Sequence, residues 1–220
     1  MTKYTDVIYP DVENDYPQKL CNILYKKFMN KKGKLLDIGC GKGTHMACFK
    51  NCGLDVYGID KRIERDYIKR CNIEEDRIPF EDNTFDYIFS KSLIEHIYSP
   101  ENMLKEAYRV LKPGGKIIIM TPDWRSDYKI FWDDYTHVHP YTRKSLKDVI
   151  LIHNFNNVIC ERFYQLPIIW KYPKFKYICK LFSILPDSLK WKTKNERNGE
   201  DRKFIRNCKE LMLLSIGEKL

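Results

Sequence analysis

Leu35-Leu36-Asp37-Ile38-Gly39-Cys40-Gly41-Lys42-Gly43 reads as a buried strand that runs into a glycine loop. The glycines are spaced G-x-G-x-G, and glycine at a strand-to-helix turn lets backbone approach a ligand closely. Thr44 to Asn51 follows as a short helix closed by Gly53. The first turn of such a helix offers unpaired N–H groups. Leu54 to Ile59 gives a second strand, and Asp60 ends it, seventeen positions after Gly43. A carboxylate there can accept hydrogen bonds from both hydroxyls of a ribose. A dinucleotide loop would read G-x-G-x-x-G, and Thr44 stands where its third glycine would fall. Asp37 precedes the glycines and suits the cationic end of a ligand, such as an amino group.

Outward from this loop, strand and helix signals alternate. Upstream, Tyr16 to Phe28 has helical spacing, with Leu20, Ile23, Leu24 and Phe28 on one face. Downstream, Phe85 to Phe89 is a strand after the turn Glu81-Asp82-Asn83, and Pro100 to Leu111 is helical through Met103, Leu104, Ala107 and Leu111. Lys112-Pro113-Gly114-Gly115 reads as a tight turn and Lys116 to Met120 as a strand. Such alternation predicts an α/β fold with a parallel sheet and helices on both faces. Pro122 to Thr142 is polar and aromatic without a clean period. Ser145 to Ile152 reads as a helix, Val158 to Phe163 as a strand, and Glu210 to Ile216 as a last strand, while Leu166 to Phe204 breaks the pattern. The expected organisation is one domain over 1–220, with an acceptor-side insertion at 122–142 and a basic, aromatic insertion at 166–206.

A chain of 220 residues with 43% hydrophobic and 14% aromatic residues can bury a core, which excludes wholesale disorder. Eight cysteines occur without a C-x-x-C pair, so zinc ribbons and thioredoxin-like sites find no support. Met1 to Asn14 has no apolar signal core, and no run of about 18 apolar residues appears. The cysteines are therefore expected as reduced thiols in a cytoplasmic protein.

Further stretches stand in a set order: Gly58-Ile59-Asp60, Ile78-Pro79-Phe80-Glu81-Asp82-Asn83-Thr84-Phe85-Asp86, Ile94-Glu95-His96-Ile97 and Arg109-Val110-Leu111-Lys112-Pro113-Gly114-Gly115. With Leu35 to Gly43 they span roughly residues 34–121. On these motifs the chain resembles the small "type 11" group of class I S-adenosylmethionine-dependent methyltransferases. The resemblance implies a doubly wound, mostly parallel seven-stranded sheet of Rossmann-like type with an antiparallel last strand. It also implies S-adenosylmethionine as cofactor. In that family the glycine loop holds the methionine moiety, which here involves Asp37, Gly39, Cys40, Gly41 and Gly43. The acid at Asp60 holds the ribose, and the loop around Asn72 and Ile73 flanks the adenine, with Asn72 where the family usually has Asp. Lys61 and Ser90 complete the implied cofactor set. Phe80 and Phe85 are expected in the core. Glu95-His96 follows the fourth strand at the ligand edge, where a hydrogen-bonding role and a catalytic one both stay open.

The acceptor side is expected in Asp133-Asp134-Tyr135-Thr136-His137-Val138-His139-Pro140-Tyr141-Thr142, after the fifth strand. Asp134 and His137 lie three apart, and a carboxylate beside a histidine makes an oriented base for a hydroxyl acceptor. His137, Asp134 and His96 are the candidate catalytic residues. A loop stapled by side-chain hydrogen bonds is the alternative. Asp133, Asp134, His137 and His139 could be grouped as metal ligands, but mixed carboxylate and imidazole donors do not select magnesium, and no metal is expected. Asp134, Thr136, His137 and Pro140 match an Asp-x-Thr-His-x-x-Pro pattern, and Leu166-Pro167-Ile168 with Trp170 adds to it. These stretches resemble a subgroup found with polysaccharide and glycolipid biosynthesis. That resemblance implies O-methylation of a sugar hydroxyl, on a small, lipid-linked or nucleotide-linked substrate.

The formal charge is +9, and Lys171 to Arg206 holds eleven basic residues against four acids, so +7 of it lies there. Trp170, Tyr172, Phe175, Tyr177, Ile178 and Leu181 are interleaved with the bases. Such a mixture suits contact of 167–206 with an anionic membrane surface or with a phosphate-bearing substrate. It equally suits a helix that covers the core with its lysines outward. Single-stranded nucleic acid takes the same mixture, but with no appended RNA-binding module it is not the expected partner. An RNA or other small-molecule methyltransferase, and a non-catalytic subunit that binds cofactor, are the rival readings.

Overall fold

The computed structural model describes residues 15–29, 31–190 and 203–220, the side chains of Lys190 and Lys203 excepted. In chain order the elements are α1 (Tyr16–Leu24), β1 (Lys34–Ile38), α2 (Thr44–Asn51), β2 (Asp55–Asp60), β3 (Ile68–Arg70), β4 (Phe85–Lys91), α3 (Glu101–Val110) and β5 (Leu111–Pro122). Then come α4 (Trp124–Asp127), α5 (Arg143–Ile152), β6 (Asn156–Phe163), α6 (Pro167–Lys171), α7 (Phe175–Phe182), α8 (Lys203–Lys209) and β7 (Met212–Glu218). The strands form one seven-stranded sheet in the order β3-β2-β1-β4-β5-β7-β6. β1 to β5 pair in parallel, and β7 runs antiparallel between β5 and β6. This is the doubly wound, mostly parallel α/β sheet with an antiparallel last strand that the sequence implied.

β1 is paired on both edges and covered on both faces, which is why Leu35, Leu36, Asp37 and Ile38 are all buried. Alternation along the strands feeds two cores. Leu36, Ile38, Ile88, Ile117 and Ile119 pack with Leu104 of α3 and Leu146 of α5. Leu35, Phe89, Ile118 and Met120 point the other way, against Leu20 of α1 and Phe49 of α2. From β1 the chain winds outward to β2 and β3, then returns to β4 on the other side of β1. This reversal opens a crevice at the carboxyl ends of β1 and β4, where open α/β sheets bind ligands.

Several elements differ from expectation. The first helix ends at Leu24 and continues as a π turn over Tyr25–Met29. β3 was not expected: it has three residues with only Ile68 buried, too short for a periodic signal. Lys112-Pro113-Gly114-Gly115 does not separate helix from strand but bulges within β5. Leu111 pairs with Phe85 and Lys116 with Tyr87, so the residues between loop out of the ladder. Gly114 takes φ of 76° there, and its N–H donates to the Lys219 carbonyl at 2.6 Å. In 122–142 the polar, aromatic segment holds α4 and a 3-10 turn over Phe131–Asp133. The basic segment supplies α6 and α7, and Leu166, Ile169, Cys179 and Cys208 form a third buried cluster beneath them.

Candidate active site

The glycine loop joins β1 to α2 at the crevice. The N–H groups of Gly39 and Cys40 both donate to the Ile59 carbonyl, at 2.9 and 3.2 Å, which ties the loop to the end of β2. Gly41 has φ of 53°, and a Cβ built there would meet no atom within 4 Å. Its glycine therefore answers to backbone conformation, and the loop presents an open face. A Cβ at Gly39, in contrast, would stand 2.8 Å from the Leu93 side chain, so absence of a side chain there permits close packing. The sulfur of Cys40 is buried and turned toward the Gly41 carbonyl, 3.8 Å away. Gly43 caps α2 with φ of 85°.

Asp60 closes β2 beside this loop. Its carboxylate accepts from the N–H of Gly41 at 3.0 Å, of Arg62 at 2.8 Å and of Ile63 at 3.2 Å. These three donors fix its orientation. Next to it, the Cys71 N–H donates to the Asp60 carbonyl at 2.9 Å, so the turn carrying Asn72 and Ile73 starts against the same strand end. Asn102 and Asp76, which sequence reasoning did not single out, hold that turn: Asn102 donates to the Ile73 carbonyl and Asp76 accepts from the Asn72 N–H. Lys61 lies outside, 3.8 Å from Glu74. Ser90 is buried, and its hydroxyl donates to the Ile38 carbonyl at 3.0 Å. Its structural place is therefore a staple between β1 and β4, with the hydroxyl already engaged.

Asp37 is 3% exposed, and its Oδ2 has no hydrogen-bond partner. Burial, then the nearby Asp60 carboxylate, push its pKa up to about 8, against the opposing pull of Lys91. A buried carboxylate oxygen without a donor is costly. An ammonium group would satisfy it, so the site fits the amino-acid end of S-adenosylmethionine.

The acceptor-side residues converge at the end of β4. Glu95 and His96 sit in a 3-10 turn over Ile94–His96. The Glu95 carbonyl accepts from the N–H groups of Val138 and His139, at 2.8 and 3.1 Å, which pins the loop after β5 against this turn. His96 and His137 thereby meet, with ring centroids 4.7 Å apart. His137 Nδ1 faces the Phe131 carbonyl at 2.6 Å, so Nδ1 carries the proton and Nε2 the lone pair. His96 Nδ1 lies 2.9 Å from Thr136 Oγ1, whose hydroxyl donates to Asp134 at 2.7 Å. Thr136 therefore accepts from His96 Nδ1–H, and Nε2 is again the unprotonated nitrogen. Burial, and then the neighbouring His137, keep the His96 pKa below the usual value.

Asp134 does not meet His137 at Nδ1, which already faces the Phe131 carbonyl. It stands 3.9 Å from the opposite nitrogen, Nε2, and acts through Thr136 on His96. Burial would raise the Asp134 pKa, but the hydrogen bonds from Thr136 outweigh it and hold it below the usual range. His139 stacks on Tyr141 at 4.6 Å, outside the group formed by Glu95, His96 and His137. Glu95 is 1% exposed; Thr121 donates to its Oε2 at 2.8 Å, and Oε1 has no partner. Burial pushes its pKa up to about 7. The ligand atoms of Glu95, His96 and His137 lie within 4.8 Å of one another. The four-residue group of Asp133, Asp134, His137 and His139 is not the one that converges.

The basic segment has two sides. Trp170 packs near Tyr16 and Phe163, with ring centroids 5.8 and 5.3 Å away, and its indole N–H donates to the Tyr164 carbonyl at 2.8 Å. The outer side of α7 and the turn after it expose Tyr177 at 66%, Leu181 at 67% and Ile184 at 77%, beside exposed Lys174, Lys176 and Lys180. Lys192, Lys194, Arg197 and Arg202 lie outside the described residues. Among the described residues no helix is long and apolar enough to cross a membrane. All eight cysteines are free thiols.

Comparison with known proteins agrees with this geometry. A methyltransferase-domain family model matches residues 13–159. An uncharacterized protein of Methanocaldococcus jannaschii is 34% identical over 166 residues, covering 68% of this chain and 67% of its own length. Phosphoethanolamine N-methyltransferase 2 of Caenorhabditis elegans is 33% identical over 145 residues, which is 58% of this chain and 33% of that protein. Sterol 4-C-methyltransferase of the same organism is 31% identical over 136 residues, 54% of this chain and 41% of that protein. The chain thus spans well under half the length of these two relatives. Among solved structures, an S-adenosylmethionine-dependent methyltransferase of Archaeoglobus fulgidus superposes with a TM-score of 0.61 at 21% identity, covering 92% of this chain and 94% of that one. Phosphoethanolamine N-methyltransferase 2 of Haemonchus contortus, complexed with phosphomonomethylethanolamine and S-adenosylhomocysteine, gives 0.60 at 24% identity, over 92% and 52%. The chain belongs to the methyltransferase-domain family, as a class I methyltransferase that uses S-adenosylmethionine.

Proposed function

We propose that this methyltransferase acts on a hydroxyl group of a small, phosphate-bearing or lipid-linked acceptor, with a sugar hydroxyl as the specific reading. The observation that carries it is the pair of imidazoles at the crevice, each with Nδ1 engaged by an oxygen and Nε2 left as a base. An alcohol needs its proton removed as it attacks, which a thioether or a neutral amine does not.

S-adenosylmethionine supplies an electrophilic methyl group on a sulfonium. Asp37 would take its ammonium end and the glycine loop its methionine backbone, while Asp60 accepts from the ribose hydroxyls and Asn72 and Ile73 border the adenine. Cys40 belongs to the glycine loop and Lys61 follows Asp60, while Ser90 supports the loop from beneath as a staple between β1 and β4. His137, assisted by His96, accepts the acceptor's proton at Nε2. The acceptor oxygen bonds to the methyl carbon, and the sulfur keeps the electron pair of the broken bond. In-line placement and exclusion of water supply much of the remaining rate.

The outer side of α7 supports an acceptor met at a membrane. Its exposed apolar residues stand beside Lys174, Lys176 and Lys180, the mixture that lies in a bilayer interface and attracts anionic headgroups. We infer peripheral docking of this side on an anionic bilayer from the cytoplasm. The similarity to sterol and phosphoethanolamine methyltransferases, by name enzymes of lipid and headgroup chemistry, lends support.

The test is methyl transfer from isotope-labelled S-adenosylmethionine to a panel of nucleotide-sugars, polyprenyl-phosphate sugars, phosphoethanolamine, sterols and RNA. Label on a sugar hydroxyl is the expected result. Label confined to an amine, a carbon or RNA would overturn the hydroxyl reading, and no label on any member would favour a non-catalytic subunit.

A further inference from the structure

We propose that Glu95, His96 and His137 form a site for one divalent transition-metal ion of the zinc or manganese class, open on the side facing the acceptor. Three independent features converge on it. The first is proximity: one ligand atom from each residue lies within 4.8 Å of the others, although 41 positions separate His96 from His137. An ion held at about 2.0–2.2 Å would draw these atoms closer by small side-chain rotations.

The second is donor chemistry. A histidine that binds metal through Nε2 characteristically donates its Nδ1–H to an oxygen, which fixes the ring and raises its basicity. Both histidines do so, His137 to the Phe131 carbonyl and His96 to Thr136 Oγ1. Thr136 is in turn braced by Asp134, so the outer layer of the site is complete. The third is the orphan oxygen. Glu95 Oε2 is engaged by Thr121, whereas Oε1 is buried without a donor, a state that a cation would relieve.

Two imidazoles and one carboxylate match the donor preference of zinc, manganese or ferrous iron, and they disfavour magnesium or calcium, which take oxygen. Three protein ligands leave positions for an exogenous oxygen. The ion's use rests on the hydroxyl reading above and changes its base. With both Nε2 lone pairs on the ion, His137 is a ligand, and a hydroxyl bound to the ion is acidified and releases its proton to solvent water before it attacks the methyl carbon; His137 is the proton acceptor only in ion-free protein. Ion binding itself does not depend on that reading.

The experiment uses chelator-treated protein, dialysed against Zn2+ or Mn2+ alone, with metal content measured per chain. Co2+ serves as a spectroscopic probe through its visible absorption. One ion per chain is expected for the wild type, with the Co2+ bands lost and affinity lowered at least a hundredfold in Glu95→Gln and His137→Ala. S-adenosylmethionine affinity and melting temperature report whether each variant is folded. Should Glu95→Gln fail to fold, His96→Gln replaces it. No stoichiometric ion on the wild type, or equal binding by the variants, overturns the site. Hydroxyl methylation undiminished in metal-free protein overturns the ion's part in the reaction and leaves the hydroxyl reading intact, while the stoichiometric ion still decides the site. Tight ion binding with methylation only at amines keeps the site and sinks that reading instead.

Discussion

The cofactor half and the acceptor half of the crevice are built on opposite principles. The glycine loop and Asp60 are held by neighbours close in the chain or on the adjacent strand, through backbone N–H and carbonyl groups, and the Asn72 turn adds a distant side chain, Asn102 of α3. The acceptor half is assembled across long separations: His96 reaches Thr136, and Glu95 reaches Thr121 and the backbone of Val138. A local, backbone-made pocket tolerates change in what is attached to it. A cluster made by long-range contact fixes chemistry to one arrangement. The two halves should therefore fail separately.

The largest expected effect lies on the acceptor side. His137→Ala should lower turnover by roughly 10²–10⁴-fold, the usual range for a lost proton acceptor, while S-adenosylmethionine affinity stays within about twofold. Steady-state rates with calorimetry check both. A matching loss of cofactor affinity would show that the halves are coupled, and turnover within a few-fold of wild type would reduce His137 to a loop staple.

Next comes the outer side of α7. Each lysine near an anionic surface contributes about 1 kcal/mol, so replacing Lys174, Lys176 and Lys180 with Glu should weaken vesicle partitioning on the order of a hundredfold. Co-sedimentation with vesicles containing anionic lipid, at low and high salt, measures it. Equal sedimentation of variant and wild type would leave α7 as a cover for the cluster around Cys179 and Cys208.

Legibility in the sequence follows the same division. The loop from Leu35 to Gly43 was readable because positive φ and close approach demand glycine, and the place of Asp60 because it ends the next strand beside that loop. The doubly wound, mostly parallel sheet was readable through the same motifs, except β3, where three residues carry no period; the strand order came only with the structure. Asp134 and His137 were chosen correctly as neighbours, but spacing could not say which nitrogen the carboxylate would face. Glu95 stood in a quoted motif, yet nothing local shows that one of its oxygens is buried without a donor. Thr136 was visible as a pattern residue, and only folding gives it the role of a relay between Asp134 and His96.

On the cofactor side, Asp60→Ala removes hydrogen bonds to a charged group, each set worth roughly 1.5–3 kcal/mol, so affinity should fall about ten- to a hundredfold. The variant also leaves the N–H groups of Gly41, Arg62 and Ile63 without their acceptor. Calorimetry paired with thermal melting separates the two losses. Unchanged affinity would remove Asp60 from the cofactor pocket.

The smallest effect is a slope in pH, and it sharpens the account of Asp37. Its carboxyl is raised to about 8 by burial and by Asp60, with Lys91 of β4 opposing, and Cys21 of α1 and Cys40 of the loop face it as uncharged thiols. Because the folded pKa lies above the unfolded one, this group favours folding most in acid, and its contribution fades as pH rises from about 4 through 8. Binding an ammonium group requires the charged carboxylate, so below pH 8 binding must release a proton from Asp37. S-adenosylmethionine affinity should therefore climb with pH, by at most tenfold per unit, and level off near 8. Asp37→Asn should bind more weakly and lose this slope, while gaining stability between pH 6 and 8. A wild-type affinity flat from pH 6 to 8, or a slope that survives in Asp37→Asn, would place the cofactor's charged end elsewhere than at the buried oxygen of β1.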